Sequence, residues 1–409
     1  MTQSDWPTGM MVIQGNHLEE LRDVMTGWIR RYPLSPLEDE QILVQSNGIA
    51  QWLKMALAED EDKGGCGIAA AMNVQLPGRF IWQAYRCFEP DIPGRSPFDK
   101  GPLTWTLYQL LSDQNTLQER IPNSECLSPL LGFLKKDADP RRTYQLAAKL
   151  SDMYDQYQIY RADWLTAWEE GQDILIRVGQ EPNRIPLADE QLWQPALWRL
   201  LSQMFLERPL DAALDEEERF WAKKSRSDIH RIIVEQCQQL NEAPEDLPKR
   251  VIVFGISALP QQTLELLQGL SRFSQVLLFV HNPSPHYWGD LIEGRSLLKQ
   301  YTRTTARKLP EGLPLESLHL QGNPLLASWG KQGRDYLHLL DENDQPDAYR
   351  DHFNSIDLFE PPEPDETGAM PLLRQIQADI FELRSLDERQ RLSTLPEHQI
   401  DADRDNSLQ

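Results

Sequence analysis

The chain has 409 residues, 63 acidic against 41 basic, and a formal net charge of −22. This balance excludes a protein that coats nucleic acid through a generally basic surface; a local basic channel stays open, because exposed charges are screened beyond about 8–10 Å. The length predicts two or three domains, and 40% hydrophobic residues with 12 Trp can build sizeable, aromatic-anchored cores. Cys66, Cys87, Cys126 and Cys237 show no C-x-x-C spacing, so a zinc or iron–sulfur site is not expected, and reduced thiols in a reducing compartment are. No signal-peptide pattern opens the chain and no apolar run approaches a membrane span, so a soluble, cytoplasmic protein is expected.

Met10–Gln14 predicts a first strand, running through Gly15-Asn16-His17 into an amphipathic helix over Leu18–Tyr32. A phosphate-binding loop would sit at this turn, where it needs G-x-x-x-x-G-K-[ST] so that backbone N–H groups and a lysine can hold the phosphates. The turn reads QGNHLEE. It has no lysine, and Glu19 and Glu20 at the helix start would repel a triphosphate.

The rest of the chain is organised around Gln41–Ala58, QILVQSNGIAQWLKMALA. Ile42-Leu43-Val44 reads as a buried strand and Ser46-Asn47-Gly48 as a turn; from Ile49, the residues Trp52, Leu53, Ala56 and Leu57 share one helical face. In open α/β sheets ligands bind outside the carboxyl ends of strands. Gln45, Asn47 and Gln51 are expected there. These are amide-rich readers of hydrogen-bond patterns, with neither a nucleophile and its base nor a metal cluster. The plainer reading is a polar helix start.

Glu59–Gly67 is an acidic, glycine-rich loop, Ile68–Leu76 reads as extended, and Arg79–Cys87 predicts a helix carrying Phe80, Trp82 and Tyr85. Prolines at 90, 93, 97 and 102 mark a domain boundary. Helices are predicted over Pro102–Leu111, with Pro102 at the first position, and over Arg141–Tyr160, Asp189–Leu206 and Ser227–Leu240. Tyr144, Leu146, Leu150, Met153, Tyr154 and Tyr157 form a stripe expected to be core. Asp152 and Asp155 share a helix face beside it, but a metal pair would need a third ligand that the neighbouring sequence lacks.

Strands return at Arg250–Phe254 and Gln275–Val280, with a helix over Gln261–Leu270 between them. Gly289-Asp-Leu-Ile-Glu-Gly294-Arg295-Ser296 nearly matches the phosphate-binding loop, with Arg for Lys. It lies eight residues past the strand and carries Asp290 and Glu293 inside the would-be nest, so it reads as a decoy. Further helices are predicted over Asn323–Leu340 and Met370–Leu386, and a disordered end follows. The expected architecture is α/β: residues 1–98 plus 245–345 form a parallel-sheet domain, 99–244 an inserted all-helical domain, and 346–409 an acidic tail with one helix near 370–386.

The segments ILVQSNGIAQWLKMAL, QLPGRFIW, DQYQIYRADWLTAWE, WQPALW, VIVFGISALPQQTLELLQGL, NPSPHYWGD and NPLLASWGKQGRDYLHLL resemble the N-terminal third of RecC-type chains, the gamma subunits of exodeoxyribonuclease V (the RecBCD helicase–nuclease). The resemblance implies an inactive superfamily-1 helicase-like fold. QGNHLEE takes the phosphate-loop slot, ILVQSNGIAQW the helicase motif that touches single-stranded DNA, and Gly255-Ile256 the slot where a working helicase has Asp-Glu for magnesium. It also implies a non-catalytic, DNA-binding subunit without its own cofactor, ATP and Mg being used by RecB-like and RecD-like partners. That subunit binds double-stranded DNA ends, splits the duplex and scans single-stranded DNA for a Chi-like hotspot, in double-strand-break repair by homologous recombination.

By the same resemblance the DNA-binding residues are Gln45, Asn47, Gln51, Leu76, Trp82, Asp152, Met153, Asp155, Arg161 and Arg226. Asn47 and Met153 stand where the family pattern has Thr and Leu. The residue types suit base recognition, since Gln and Asn pair with adenine, Arg with guanine, Asp accepts from cytosine, and Trp stacks a base. The strand is expected to run between the α/β domain and the helical insertion. The rival readings are a structural adaptor between motor subunits, an active ATPase, which lacks its Lys and Asp-Glu, and a nuclease, which lacks a carboxylate cluster.

Overall fold

The structure is a computed structural model that describes residues 8–134, 139–177, 183–209, 214–289, 291, 323–343, 358–364 and 370–392. The chain divides into two compact units: Met1–Phe80 with Leu247–Leu259 and Leu270–Gln409, and Ile81–Asp246 with Pro260–Gly269.

The first unit holds a five-stranded, wholly parallel sheet. Its strands are β1 (Gly9–Gly15), β2 (Glu40–Val44), β3 (Met72–Gln75), β6 (Arg250–Phe254) and β7 (Gln275–His281), in the order β1-β7-β6-β2-β3. β2 and β6, read from the sequence as separate apolar runs, are neighbours, with Ile42 opposite Ile252. Strands buried on both faces need no alternation, hence the continuous runs ILV and VIVF. Helix α1 (Leu18–Arg31) packs Leu21, Met25 and Ile29 on the sheet, and α2 (Asn47–Ala58) packs Leu53 and Leu57, against Ile42, Val44, Ile252, Phe254, Leu277 and Phe279.

The second unit is mainly helical. Helix α3 (Pro77–Phe88) crosses the division between the units; α4 (Lys100–Ser112), α5 (Gln114–Arg120), α6 (Ser128–Leu134), α7 (Pro140–Tyr160), α8 (Ala162–Glu169), α9 (Trp193–Glu207), α10 (Glu216–Trp221), α11 (Arg226–Gln239) and α12 (Gln261–Leu270) follow. Leu103, Leu107, Leu150, Tyr154, Trp168, Leu197, Trp198 and Phe205 belong to its core. The stripe on α7 is core at Leu150 and Tyr154 and packs half-buried at Leu146, Met153 and Tyr157; Tyr144 departs from it and is 44% exposed.

Several expectations need correction. The inserted block is not all helical, because β4 (Ile174–Arg177) and β5 (Asn183–Pro186) pair antiparallel within it. The predicted helix 323–340 is two, Pro324–Trp329 and Lys331–Asn343, broken at Gly330, where a Cβ would meet the Trp288 ring at 2.9 Å. The predicted helix 370–386 is also two, Leu372–Phe381 and Leu386–Leu392, broken where Leu383 turns left-handed at φ 55°. Pro102 is the third helical residue rather than the first, still within the turn whose N–H groups lack helical partners. The decoy's residues 290 and 292–296, and the end expected to be disordered, 393–409, lie outside the described residues.

Candidate functional site

From β2 the chain moves to β3 on one side of the sheet, and from β6 to β7 on the other. The β2–β6 boundary is therefore the switch point at which carboxyl strand ends leave a crevice. After β2, Ser46 caps α2 by accepting from the Ile49 N–H at 3.3 Å, so the helix begins at Asn47, two residues earlier than its apolar period. Gln45, Asn47 and Gln51 are exposed, and Asn47 and Gln51 are one turn apart on one face. No acidic residue occupies the first turn of α2, unlike α1 with Glu19 and Glu20. Leu76 leaves β3 just past Gln75, which is in register with Leu43, so it emerges level with Val44 and is 42% exposed. These four predicted residues thus gather at one edge of the first unit.

At the same edge β6 is followed by Gly255, whose φ of +62° favours glycine, and by the buried Ile256. The turn after β1 is filled by the chain itself. The Asn16 side chain donates to the Glu360 carbonyl at 2.8 Å and accepts from the Glu360 N–H at 3.0 Å, while the Asn16 N–H donates to the Leu358 carbonyl at 3.3 Å. A Cβ on Gly15 would come within 2.9 Å of that carbonyl. Burial, and then the neighbouring Glu360, push the Glu20 carboxyl above its ordinary value. This negative, occupied turn is the reverse of a phosphate nest.

In the second unit, Trp82 on α3 is half-buried, edge-on to Tyr85 at 5.6 Å, and flanked by the guanidinium groups of Arg226 at 5.6 Å and Arg86 at 5.9 Å. The Arg226 N–H donates to the buried Gln158 of α7 at 3.3 Å. Asp155 is coupled to the same arginine: burial raises its carboxyl, and Arg226 and then Lys100 oppose the rise. Asp152 pairs with Lys100 at 2.5 Å, which holds its carboxyl below the usual range. The structure so brings Trp82, Asp152, Asp155 and Arg226 into one polar neighbourhood. Lys100 and Arg86 were missed by the sequence reading; Arg86 was legible as the residue one helical turn after Trp82.

Arg161 is engaged elsewhere. It grips Asp163 with Nε at 3.0 Å and Nη2 at 2.7 Å, donates to the Ile176 carbonyl on β4, and lies 3.9 Å from the centre of the Trp164 ring. Met153 packs against the helical core. Among the described residues no group of three or more His, Cys, Asp or Glu could hold a metal ion, and no helix is long and apolar enough to cross a membrane.

A family model described as RecC, N-terminal domain, matches residues 10–383. The chain is 34% identical over 393 residues to the RecBCD enzyme subunit RecC of Escherichia coli (strain K12), covering 92% of this chain and 31% of that protein. It is 31% identical over 409 residues to the RecBCD enzyme subunit RecC of Haemophilus influenzae, covering 92% and 33%. With the RecBCD enzyme subunit RecC of Mycolicibacterium smegmatis it shares 25% identity over 336 residues, 80% of this chain and 25% of that protein. The chain spans about a third of the length of the first two relatives. By the extent of the model match and of these alignments, the chain belongs to the RecC N-terminal-domain family.

Proposed function

We propose that this chain is the DNA-handling, non-catalytic part of a RecBCD-type enzyme acting in the repair of DNA breaks by recombination. It takes double-stranded ends, helps split the strands, and scans one of them for a Chi-like sequence. It works with RecB-like and RecD-like partners, which use the ATP and Mg. Residues 1–98 with 245–345 are its inactive helicase-like domain and 99–244 the insertion. The residues that contact the strand are Gln45, Asn47, Gln51, Leu76, Trp82, Asp152, Met153, Asp155, Arg161 and Arg226.

The observation that carries this reading is the carboxyl edge of the sheet. Neutral amide side chains stand exposed after β2, while the nucleotide slot after β1 holds Glu360 and its own backbone. Such an edge favours base edges over triphosphates, because amides pair with bases and carboxylates repel phosphate. At Trp82, a ring flanked by the Arg226 and Arg86 guanidinium planes offers stacking, and the carboxylates of Asp152 and Asp155 offset the local positive charge, which suits a strand that must slide.

The test is hotspot response in the complete enzyme. With Gln45→Ala or Arg226→Ala in the full-length subunit, response to the hotspot falls while unwinding of ordinary duplex persists, each lost base contact being worth about 1–3 kcal/mol of discrimination. Intact hotspot response with impaired assembly would favour the adaptor reading instead.

A further inference from the structure

Away from the residues assigned above, the seam between α4 and α7 carries three clustered aromatic rings, two exposed and one, Tyr108, half-buried against the helical core. Trp105 and Tyr108 on α4 and Tyr144 on α7 have ring centroids 5.9 Å (Trp105–Tyr108), 5.7 Å (Trp105–Tyr144) and 6.4 Å (Tyr108–Tyr144) apart. Trp105 is 59% exposed and Tyr144 44%. Rings of this size normally go to the core, where they contribute most. Ligand clefts run to about 300–1,000 Å³. One of about 590 Å³ opens beside Trp105, lined also by Arg120, Phe205, Glu207 and Arg208.

Basic residues are also present along the seam. The 13 residues of α4 and the stretch 140–151 of α7 contain no Asp or Glu, but hold Lys100, Arg141, Arg142 and Lys149. Asp99, Asp113, Asp139 and Asp152 bound these stretches and Glu207 lines the cleft, so any attraction for anions rests on the arginines that lack an acidic partner. Lys100 is bound to Asp152, Arg142 covers the Phe133 ring at 4.4 Å, and Arg120 pairs with Glu207 at 3.2 Å. Arg141 and Arg208 form no ion pair among the described residues and are exposed.

We propose that Trp105, Tyr108 and Tyr144 are a stacking platform for the bases of single-stranded DNA, with Arg141 and Arg208 meeting its phosphates. The platform rests on the reading of the chain as a DNA handler and extends it to a second contact. Along α4 it begins five residues from Lys100 and ends eight from it, about 8–12 Å at the helical rise. Lys100 and Arg226 both act on Asp155, which ties this end of α4 to the neighbourhood of Trp82. Exposed rings joined to exposed arginines bind strands without regard to sequence, because every base has a flat face. The platform therefore holds the strand, while the residues assigned above read it.

The test is fluorescence anisotropy of the 409-residue chain with labelled oligodeoxythymidine, which contains no hotspot. Trp105→Ala weakens binding about 5- to 150-fold, the equivalent of 1–3 kcal/mol per stacked base, and Trp105→Phe restores most of it. Tyr144→Ala weakens it in the same direction. Trp82→Ala, measured beside them, reports on the functional reading itself. If Trp82→Ala weakens binding and Trp105→Ala does not, the platform is overturned and that reading stands. If the parent chain fails to bind the oligonucleotide, both fall. If Trp105→Ala leaves DNA affinity unchanged but abolishes assembly with a motor subunit, the surface is a protein interface and the platform is overturned. Photocrosslinking of the unsubstituted chain to a bromodeoxyuridine oligonucleotide needs no variant to fold; adducts on Trp105 or Tyr144 are expected, and adducts only elsewhere overturn the platform.

Discussion

The Arg250 guanidinium meets the Glu40 carboxylate at 2.7 Å, with side-chain exposures of 0% and 5%. The two residues open the neighbouring strands β6 and β2, at the amino edge of the sheet, opposite the exposed amides. Arg250 also donates to Gln275 at 2.9 Å and to the Tyr32 carbonyl at 2.6 Å. Burial pushes the Glu40 carboxyl up, and Arg250 opposes the rise. Removing one partner would leave a buried charge uncompensated, so Glu40→Ala is expected to destabilise the chain by about 3–5 kcal/mol. Glu40→Leu combined with Arg250→Met should lose far less. Urea midpoints of the single and double variants check this, and a double variant no better than Glu40→Ala would refute it.

Glu265 gives a pH prediction. His230 Nε2 lies 2.9 Å from its carboxylate, and Nδ1 lies 2.9 Å from the Tyr85 hydroxyl. The histidine hydrogen bond holds the Glu265 carboxyl below its ordinary 4.5, against the effect of burial. A carboxylate whose folded pKa is depressed contributes stability above its unfolded pKa, and that contribution is lost as pH falls through the folded value. On acidification below about pH 4.5, Glu265→Gln should therefore lose less stability than the parent chain. Urea midpoints on both sides of that pH, for both proteins, measure the difference; equal losses would count against it.

The β1 turn leads to the expectation that the purified chain neither binds nor hydrolyses ATP. Glu360 occupies the slot through Asn16, and Glu20 stands beside it. Equilibrium dialysis with labelled ATP is the check. Saturable binding that disappears with Arg295→Ala would show that the sequence from Gly289 to Ser296 is a nucleotide loop after all.

A carboxylate placed just after β6 should not confer ATPase activity. Gly255 has φ +62°, and a Cβ there would lie 3.4 Å from Leu18, an ordinary contact. The penalty of Gly255→Asp is then the left-handed backbone alone, about 1–2 kcal/mol. Denaturant midpoints should show that loss with no gain of ATPase activity; a neutral substitution would mean the backbone there relaxes.

How much of this was legible depended on the range of each interaction. The strands showed as β-branched runs because both faces of the parallel sheet are buried. The start of α2 was read late, since its cap depends on one serine hydroxyl rather than on apolar period. Arg250 gave no sign of burial, as its partner Glu40 lies 210 positions away. The hairpin β4–β5 escaped notice because its strands have four residues each and stand between helices. Tyr144 fits the α7 stripe by spacing, yet it lies outside the core beside Trp105 and Tyr108, which no spacing along α7 shows. At the site, the exposed amides after β2 were readable from strand-turn-helix order. The grip of Asp163 and Ile176 on Arg161 was not, because it depends on the hairpin.

In the function proposed above, this chain touches single-stranded DNA directly. The most direct test places a photocrosslinker at position 45, and separately at position 82, in the full-length subunit within the proposed RecBCD-type enzyme, on a forked DNA end. Adducts to single-stranded DNA are predicted from both positions during unwinding. An enzyme that assembles and unwinds normally, yet gives no adduct from either position, would contradict the claim and leave the chain a bridge between motors.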